Sequence, residues 1–239
     1  KLAGGMLLGF HEARSDRIVD IAECPVALPE IVTLIPRLRD FLSGRAGRAD
    51  QGEVAITQTA EGADVVVFSA KEPDLDTRMD APEFCEAAGV ARLSWSAKDD
   101  STPEPVLTLK SPTVRFGNVS VRIPPDSFLQ PTEAGEAALQ AWVLRATDGS
   151  RTVADLYAGC GAFSFPMAAA GKTVTAYEGV AGQITALRAA AAGRSLSGEI
   201  RVLARQPLRA DDLARFDAVV LDPPAFVKHR PALASGLQG

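Results

Sequence analysis

The sequence predicts an α/β protein in which a parallel sheet flanked by helices is preceded by a smaller, sheet-rich α+β domain. Three observations predict it. From about residue 152 onward, apolar strand-like runs alternate with helical patterns, which implies parallel strands joined by crossover helices. Before residue 124 the runs are short, closely spaced and mostly strand-like, with one clear helical pattern among them. The change in character falls at Pro124-Pro125, two consecutive residues that cannot donate to a sheet ladder. The expected domains are residues 1–124, a central α+β domain with a mixed or antiparallel sheet, and residues 125–239, the parallel α/β domain.

Each element follows from a local pattern. Ile18 to Ile21 reads as a strand, followed by a turn at Cys24-Pro25. Ile31, Leu34, Ile35, Leu38, Phe41 and Leu42 recur at helical spacing and turn one apolar face to a core, and Ser43-Gly44 and Gly47 end that helix. Glu53 to Thr59 and Asp64 to Ser69 read as strands, with Glu61-Gly62 as the hairpin turn between them. Residues 71–83 are acidic and hold Pro73 and Pro82, which reads as a loop. Short strands are expected at 90–96, 106–109, 113–116 and 119–122. Thr132 is a candidate N-cap for a helix reaching Ala146. Val153 to Tyr157, Thr173 to Tyr177, Ile200 to Leu203 and Ala218 to Leu221 read as strands, with helices at Phe163 to Ala170 and Ala181 to Ala192.

Composition narrows the function classes. The chain has 239 residues, 46% hydrophobic and 23% charged, which is long enough for a sizeable core and excludes wholesale disorder. It contains no run of about 18 apolar residues, so a membrane-spanning helix is excluded. Lys1 to Phe10 is too short and too glycine-rich for a signal peptide. Cys24, Cys85 and Cys160 make no disulfide framework, and a reducing, cytoplasmic setting fits them. The net charge of −5 argues against a generally basic nucleic-acid-binding surface. The charge is uneven, however. Residues 51–110 carry 5 basic and 12 acidic groups, whereas residues 151–239 carry 10 basic and 7 acidic groups. An RNA partner would therefore lie away from the acidic middle segment.

The strongest chemical signal is Asp155-Leu-Tyr-Ala-Gly159-Cys160-Gly161-Ala-Phe163, which follows a strand pattern and opens a helix. Glycines there let the backbone turn sharply and approach a ligand without Cβ interference. Glu178 ends the next strand pattern, where a carboxylate can accept ribose hydroxyls. Ser164 stands where a dinucleotide loop would carry its third small residue, and no Gly-Lys-Ser/Thr phosphate loop is present. The expected ligand is thus a nucleoside-bearing cofactor without a phosphate cradle. Asp222-Pro223-Pro224 ends the fourth strand pattern and puts a further carboxylate at the carboxyl end of the sheet. His11 and His229 have no partner pattern and read as surface residues.

The glycine loop resembles the first motif of S-adenosylmethionine-dependent methyltransferases. Taken with Ser127-Phe128-Leu129-Gln130, Ser164-Phe165-Pro166, Asp222-Pro-Pro, the Arg201 to Leu208 run and Gly9-Phe10 through Ile21 to Val26, the chain resembles the RNA uracil-5-methyltransferase family. That resemblance spans residues 7 to 224. It implies a Rossmann-like class I methyltransferase domain, S-adenosyl-L-methionine as cofactor, and 5-methyluridine formation in ribosomal or transfer RNA, with ribosomal RNA preferred. By position, it implies that Gln130 holds the methionine end of the cofactor. Tyr157, Gly159 and Gly161 would line its bound face, Glu178 would take the ribose, and Asp222 would lie near the target base. Cys24 resembles the last ligand of a 4Fe-4S cluster found in some relatives. The expected protein is a monomer with RNA, and no membrane, as its partner.

The departures define the alternatives. Ala162 replaces a frequent Asn, Val202 replaces an acidic residue, and Ala225-Phe226-Val227-Lys228 looks more like related RNA cytosine-5-methyltransferases. The family's nucleophilic cysteine and its glutamate base are expected beyond Gly239, and its RNA-binding domain and cluster cysteines before Lys1. A third possibility is a catalytically inactive module that binds the cofactor or RNA.

Overall fold

The computed structural model describes residues 6–43, 52–97, 102–192, 196–204 and 210–223. The chain divides into two compact units, Lys1–Thr113 and Val114–Gly239.

In the first unit, β1 (Gly9–His11) pairs antiparallel with β2 (Ile18–Asp20). A second sheet has the order β3-β4-β5-β6, built from Gly52–Thr59, Gly62–Ser69, Val90–Ser96 and Glu104–Thr108. β3 and β4 form the expected hairpin, in register from Gly52↔Ser69 to Thr59↔Gly62. β4 and β5 are parallel, so a crossover must join them. That crossover is α2 (Leu75–Ala88), where the sequence reading expected a loop over 71–83.

The correction has a physical cause. Asp74 caps α2, its Oδ1 accepting the Thr77 N–H at 2.8 Å and the Thr77 hydroxyl at 2.6 Å, and Gly89 closes the helix at φ +69°. Thr77, Ala81, Phe84 and Cys85 are buried at helical spacing. Pro82 and the acidic outer face obscured that period. Helix α1 (Pro29–Leu42) buries Leu34, Ile35, Leu38, Phe41 and Leu42, as its spacing predicts. The Phe41 and Phe84 rings stack at 4.2 Å between the two helices. Gly44 and Gly47, expected to end α1, lie outside the described residues.

The second unit opens with a hairpin, β7 (Thr113–Phe116) and β8 (Val119–Arg122), whose Phe116, Val119 and Val121 are buried in one cluster with Leu187. Helix α3 (Glu133–Ala146) follows. Its cap is Thr132, whose Oγ1 accepts the Gly135 N–H at 3.0 Å. Thr132→Ala is expected to cost about 1 kcal/mol in thermal unfolding, the usual worth of such a cap.

The sheet of this unit is built from β9 (Thr152–Leu156), β10 (Thr173–Glu178), β11 (Glu199–Ala204) and β12 (Ala218–Leu221). Every pairing is parallel, and the order is β11-β10-β9-β12. Helices α4 (Ser164–Ala169) and α5 (Ala181–Ala191) supply the crossovers after β9 and β10, and the short α6 (Ala210–Leu213) precedes β12. Val153 and Val174 on one face pack with Met167 and Ala168 of α4 and with Val143 of α3. Ala154, Leu156 and Tyr177 on the other face pack with Leu213 and Phe216. The chain leaves β9 in one direction to β10 and β11, then returns to β9's other side at β12. A crevice between the carboxyl ends of β9 and β12 follows from that reversal. No helix among the described residues is long and apolar enough to cross a membrane.

Candidate cofactor site

The site grows from the end of β9. Tyr157 takes φ +61°, unusual for a side-chain-bearing residue, and Gly159 and Gly161 follow at +57° and +100°. The turn is pinned from both sides. The Ala158 N–H donates to the Tyr177 carbonyl at 3.1 Å, and the Gly161 N–H to the Ala158 carbonyl at 2.8 Å. A Cβ on Gly161 would lie 2.6 Å from the Phe165 ring, so only glycine fits there.

Glu178, at the end of β10, is 4% exposed and grips this loop. Its Oε2 accepts the Gly159 N–H at 2.8 Å, while Oε1 accepts the Gly179 and Val180 N–H groups at 2.7 and 2.8 Å. A carboxylate has about four acceptor positions, so about one remains for a ligand hydroxyl. Glu178 thus shapes the glycine loop, a role the sequence reading does not give it.

The segment after β8 crosses the same end of the sheet. Pro124 lies against Gly182 at the start of α5, with its Cβ 3.3 Å from where a Gly182 Cβ would stand. The Ser127 hydroxyl donates to the Pro124 carbonyl at 2.7 Å and sits 3.8 Å from Cys160 Sγ in the glycine loop. Gln130 is half-buried in this segment, and its backbone N–H is bonded to the Glu136 carboxylate. Burial pushes the Glu136 carboxyl up, an effect opposed by that bond and by Gln140. Asp222 follows directly on β12, whose Val220 and Leu221 register with Asp155 and Leu156. The fold thus brings the loop, Glu178, the Ser127 segment and Asp222 to one end of one sheet. Pro224 and His229 lie outside the described residues.

Two residues of the loop motif are given no task by the sequence alone. Asp155 is buried in β9, and Ser164 at the start of α4 donates its hydroxyl to Asp155 Oδ2 at 2.6 Å. Asp155 Oδ1 is buried without a hydrogen-bond partner. The available signal was the small polar Ser164 at the third position of the glycine pattern. An orphaned buried carboxylate oxygen, the room beside Gly159 in the loop and a strand-end acid together fit a cationic nucleoside cofactor such as S-adenosylmethionine.

The three cysteines described do not by themselves supply the ligands of a 4Fe-4S cluster. Cys24 is half-buried in a turn of the first unit, Cys85 is buried in α2, and Cys160 belongs to the second unit. Among the described residues no group of three or more His, Cys, Asp or Glu side chains could hold a metal ion.

No family model matches the chain. It is 40% identical over 224 residues to an uncharacterized RNA methyltransferase of Mesorhizobium japonicum, covering 92% of this chain and 53% of that protein. The chain is related to RNA methyltransferases. A second uncharacterized RNA methyltransferase, from Caulobacter vibrioides, is 35% identical over 229 residues, with 92% of this chain and 54% of that protein covered. The 23S rRNA (uracil(1939)-C(5))-methyltransferase RlmD of Halomonas elongata is 29% identical over 242 residues, with 92% and 49% covered. The chain spans about half the length of the curated relatives it matches. Among solved structures, Pyrococcus abyssi tRNA (uracil-54, C5)-methyltransferase in complex with S-adenosyl-L-homocysteine aligns with a TM-score of 0.66 at 22% identity, covering 92% of this chain and 56% of that one. That likeness shows the class I S-adenosylmethionine-dependent methyltransferase fold.

Proposed function

We propose that the protein transfers a methyl group from S-adenosylmethionine to carbon 5 of a uridine in RNA, ribosomal in preference to transfer RNA. The observation that supports this reading most is the glycine loop held by Glu178 at the reversal of the strand order, with Asp155 and Asp222 beside it. When bound, S-adenosylmethionine would supply the methyl group. Gln130 would hold its methionine end, Tyr157, Gly159 and Gly161 its bound face and Glu178 its ribose, while Asp222 would face the target base. The ribosomal preference is drawn from the name of the Halomonas relative.

Carbon 5 of uracil is a poor nucleophile. It becomes reactive when a thiolate adds at carbon 6, after which a base removes the carbon 5 proton. Burial pushes the Cys85 and Cys160 thiols up to about 11, so neither is suited to that thiolate role. At Cys160 the Ser127 contact acts the other way, and the Glu178 charge adds to the rise.

The test is methyl transfer by the full-length natural protein to ribosomal and transfer RNA transcripts, with the products read as nucleosides by mass spectrometry. 5-Methyluridine is expected. 5-Methylcytidine would replace this reading with a cytosine-5-methyltransferase. Tight cofactor binding without transfer to either RNA would replace it with an inactive binding module.

A further inference from the structure

Three carboxylates stand toward the carboxyl ends of β9, β10 and β12, near enough for their charges to act on one another. Asp155 is 1% exposed, with Oδ1 unpartnered and Oδ2 held by Ser164. Glu178 and Asp222 both act on it through their charge. The charges that act on Asp155 are both anionic, Glu178 from β10 and Asp222 after β12, and its hydrogen-bond partner Ser164 from α4 is neutral. Lys172, buried in the same unit, gives its ammonium to the Thr147 and Ser150 carbonyls at 2.6 and 3.1 Å, just before β10 begins. Among the described residues no salt bridge joins any of the three carboxylates. Anionic groups gathered without a cation, one of them deeply buried, are costly and favour a ligand that brings positive charge.

We infer that these carboxylates read the charge on the cofactor's sulfur: the site prefers cationic S-adenosylmethionine to neutral S-adenosylhomocysteine, and the ionisation of Asp155 sets the size of that preference. This rests on the proposed cofactor site and adds to it a means of telling the methyl donor from its spent form. S-adenosylmethionine carries a sulfonium, an ammonium and a carboxylate, a net charge of +1 while the amine is protonated. S-adenosylhomocysteine lacks the sulfonium and is neutral. Burial pushes the Asp155 carboxyl up to about 7, the Ser164 hydroxyl opposes that rise, and Asp222 and Glu178 add to it. Below that range Asp155 is a neutral acid. Binding of the sulfonium then favours release of its proton to solvent, leaving a carboxylate beside a cation. After the methyl group has left, the sulfur is neutral and Asp155 is free to take a proton from solvent again.

The test is the ratio of the two dissociation constants, S-adenosylhomocysteine over S-adenosylmethionine, measured by calorimetry at pH 6 and pH 8 on the full-length protein. The sulfonium makes the α-ammonium of S-adenosylmethionine the more acidic of the two, so each dissociation constant is corrected for the titration of its own free ligand. The ratio is expected to rise about fivefold from pH 6 to pH 8, as one added charge acts across a partly screened site. Asp155→Asn is expected to hold it flat. Ser164→Ala keeps the carboxyl but removes its donor, so the rise moves to higher pH. A flat ratio in the wild-type protein, with both ligands bound, overturns the inference and leaves the cofactor reading standing. A rise that persists in a folded Asp155→Asn protein also overturns it. Failure of both ligands to bind removes the cofactor reading and the inference with it.

The ligand-free fold gives an independent readout. A carboxyl raised from 3.8 to about 7 keeps its proton in the folded state where the unfolded chain has lost it. Stability from this group therefore falls as pH climbs from about 4 to 7. Asp155→Asn is expected to melt higher than wild type at pH 8 and alongside it at pH 4.

Discussion

Replacing Glu178 by alanine is expected to weaken S-adenosylhomocysteine binding by about 100-fold, or about 2.7 kcal/mol. Two losses add up. The carboxylate is the acceptor for the Gly159, Gly179 and Val180 N–H groups, so its removal leaves three donors in search of partners at a nearly buried position. Each charge-assisted bond of this kind is worth roughly 1.5–3 kcal/mol, and an unsatisfied donor is costly in itself. The ligand also loses the acceptor proposed for its ribose. Val180 precedes α5 directly, so the negative charge also sits favourably at that helix's amino end. Glu178→Gln keeps the shape and one acceptor oxygen but turns an NH2 group toward a donor, and a loss of about tenfold is expected. Calorimetry on both variants, with thermal unfolding to report the state of the fold, decides the matter. Unchanged affinity in a folded alanine variant would remove Glu178 from the site and the cofactor assignment with it.

Much of the second unit was legible because its local signals agree with its tertiary fate. Val153, Ala154, Val174 and Ala176 are apolar on both faces of the sheet and are all buried, as parallel strands covered on two sides require. The Thr132 cap could be read directly, because a threonine before a helical run has one strong use there. Strand ends could be placed to within a residue, and with them Glu178 and Asp222. Helix α2 was not legible. Its buried residues keep the helical period, but Pro82 and the acids Asp76, Asp80, Glu83 and Glu86 carry a stronger local suggestion of a loop. The parallel pairing of β4 and β5 settles the conflict, since only a crossover can connect them. Asp155 opens the glycine motif, but nothing in the sequence assigns it a task. Its burial, its unpartnered oxygen and its nearness to Asp222 depend on β12 returning to the far side of β9, which is tertiary information. The same is true of Ser127 and Cys160, which the fold sets 3.8 Å apart although 33 residues separate them in sequence.

The two loop glycines are expected to fail in different ways, and the difference tests what each is for. Gly161 has φ +100°, outside the left-handed well that an L-residue can enter at modest cost. A Cβ there would stand 2.6 and 2.7 Å from two atoms of the Phe165 ring and 3.4 Å from Leu187. Both side chains are fully buried and cannot step aside. Gly161→Ala is therefore expected to destabilise the fold by about 3 kcal/mol or more, a drop of about 11 °C in Tm for a unit of this size. Gly159 has φ +57°, within the left-handed well, and the nearest atom to its missing Cβ is Gln183 Oε1 at 3.8 Å, an ordinary contact. Gly159→Ala is expected to cost only about 1 kcal/mol of stability. If the open space beside Gly159 is where the cofactor lies against the backbone, a methyl group there obstructs the ligand far more than the fold. A tenfold or greater loss of S-adenosylhomocysteine affinity is then expected, at a Tm close to that of wild type. A Gly159→Ala protein that binds as tightly as wild type would mean that the ligand does not lie against this face of the loop. Gly161 would then be needed for packing alone, and the loop's ligand-binding role would rest on Glu178.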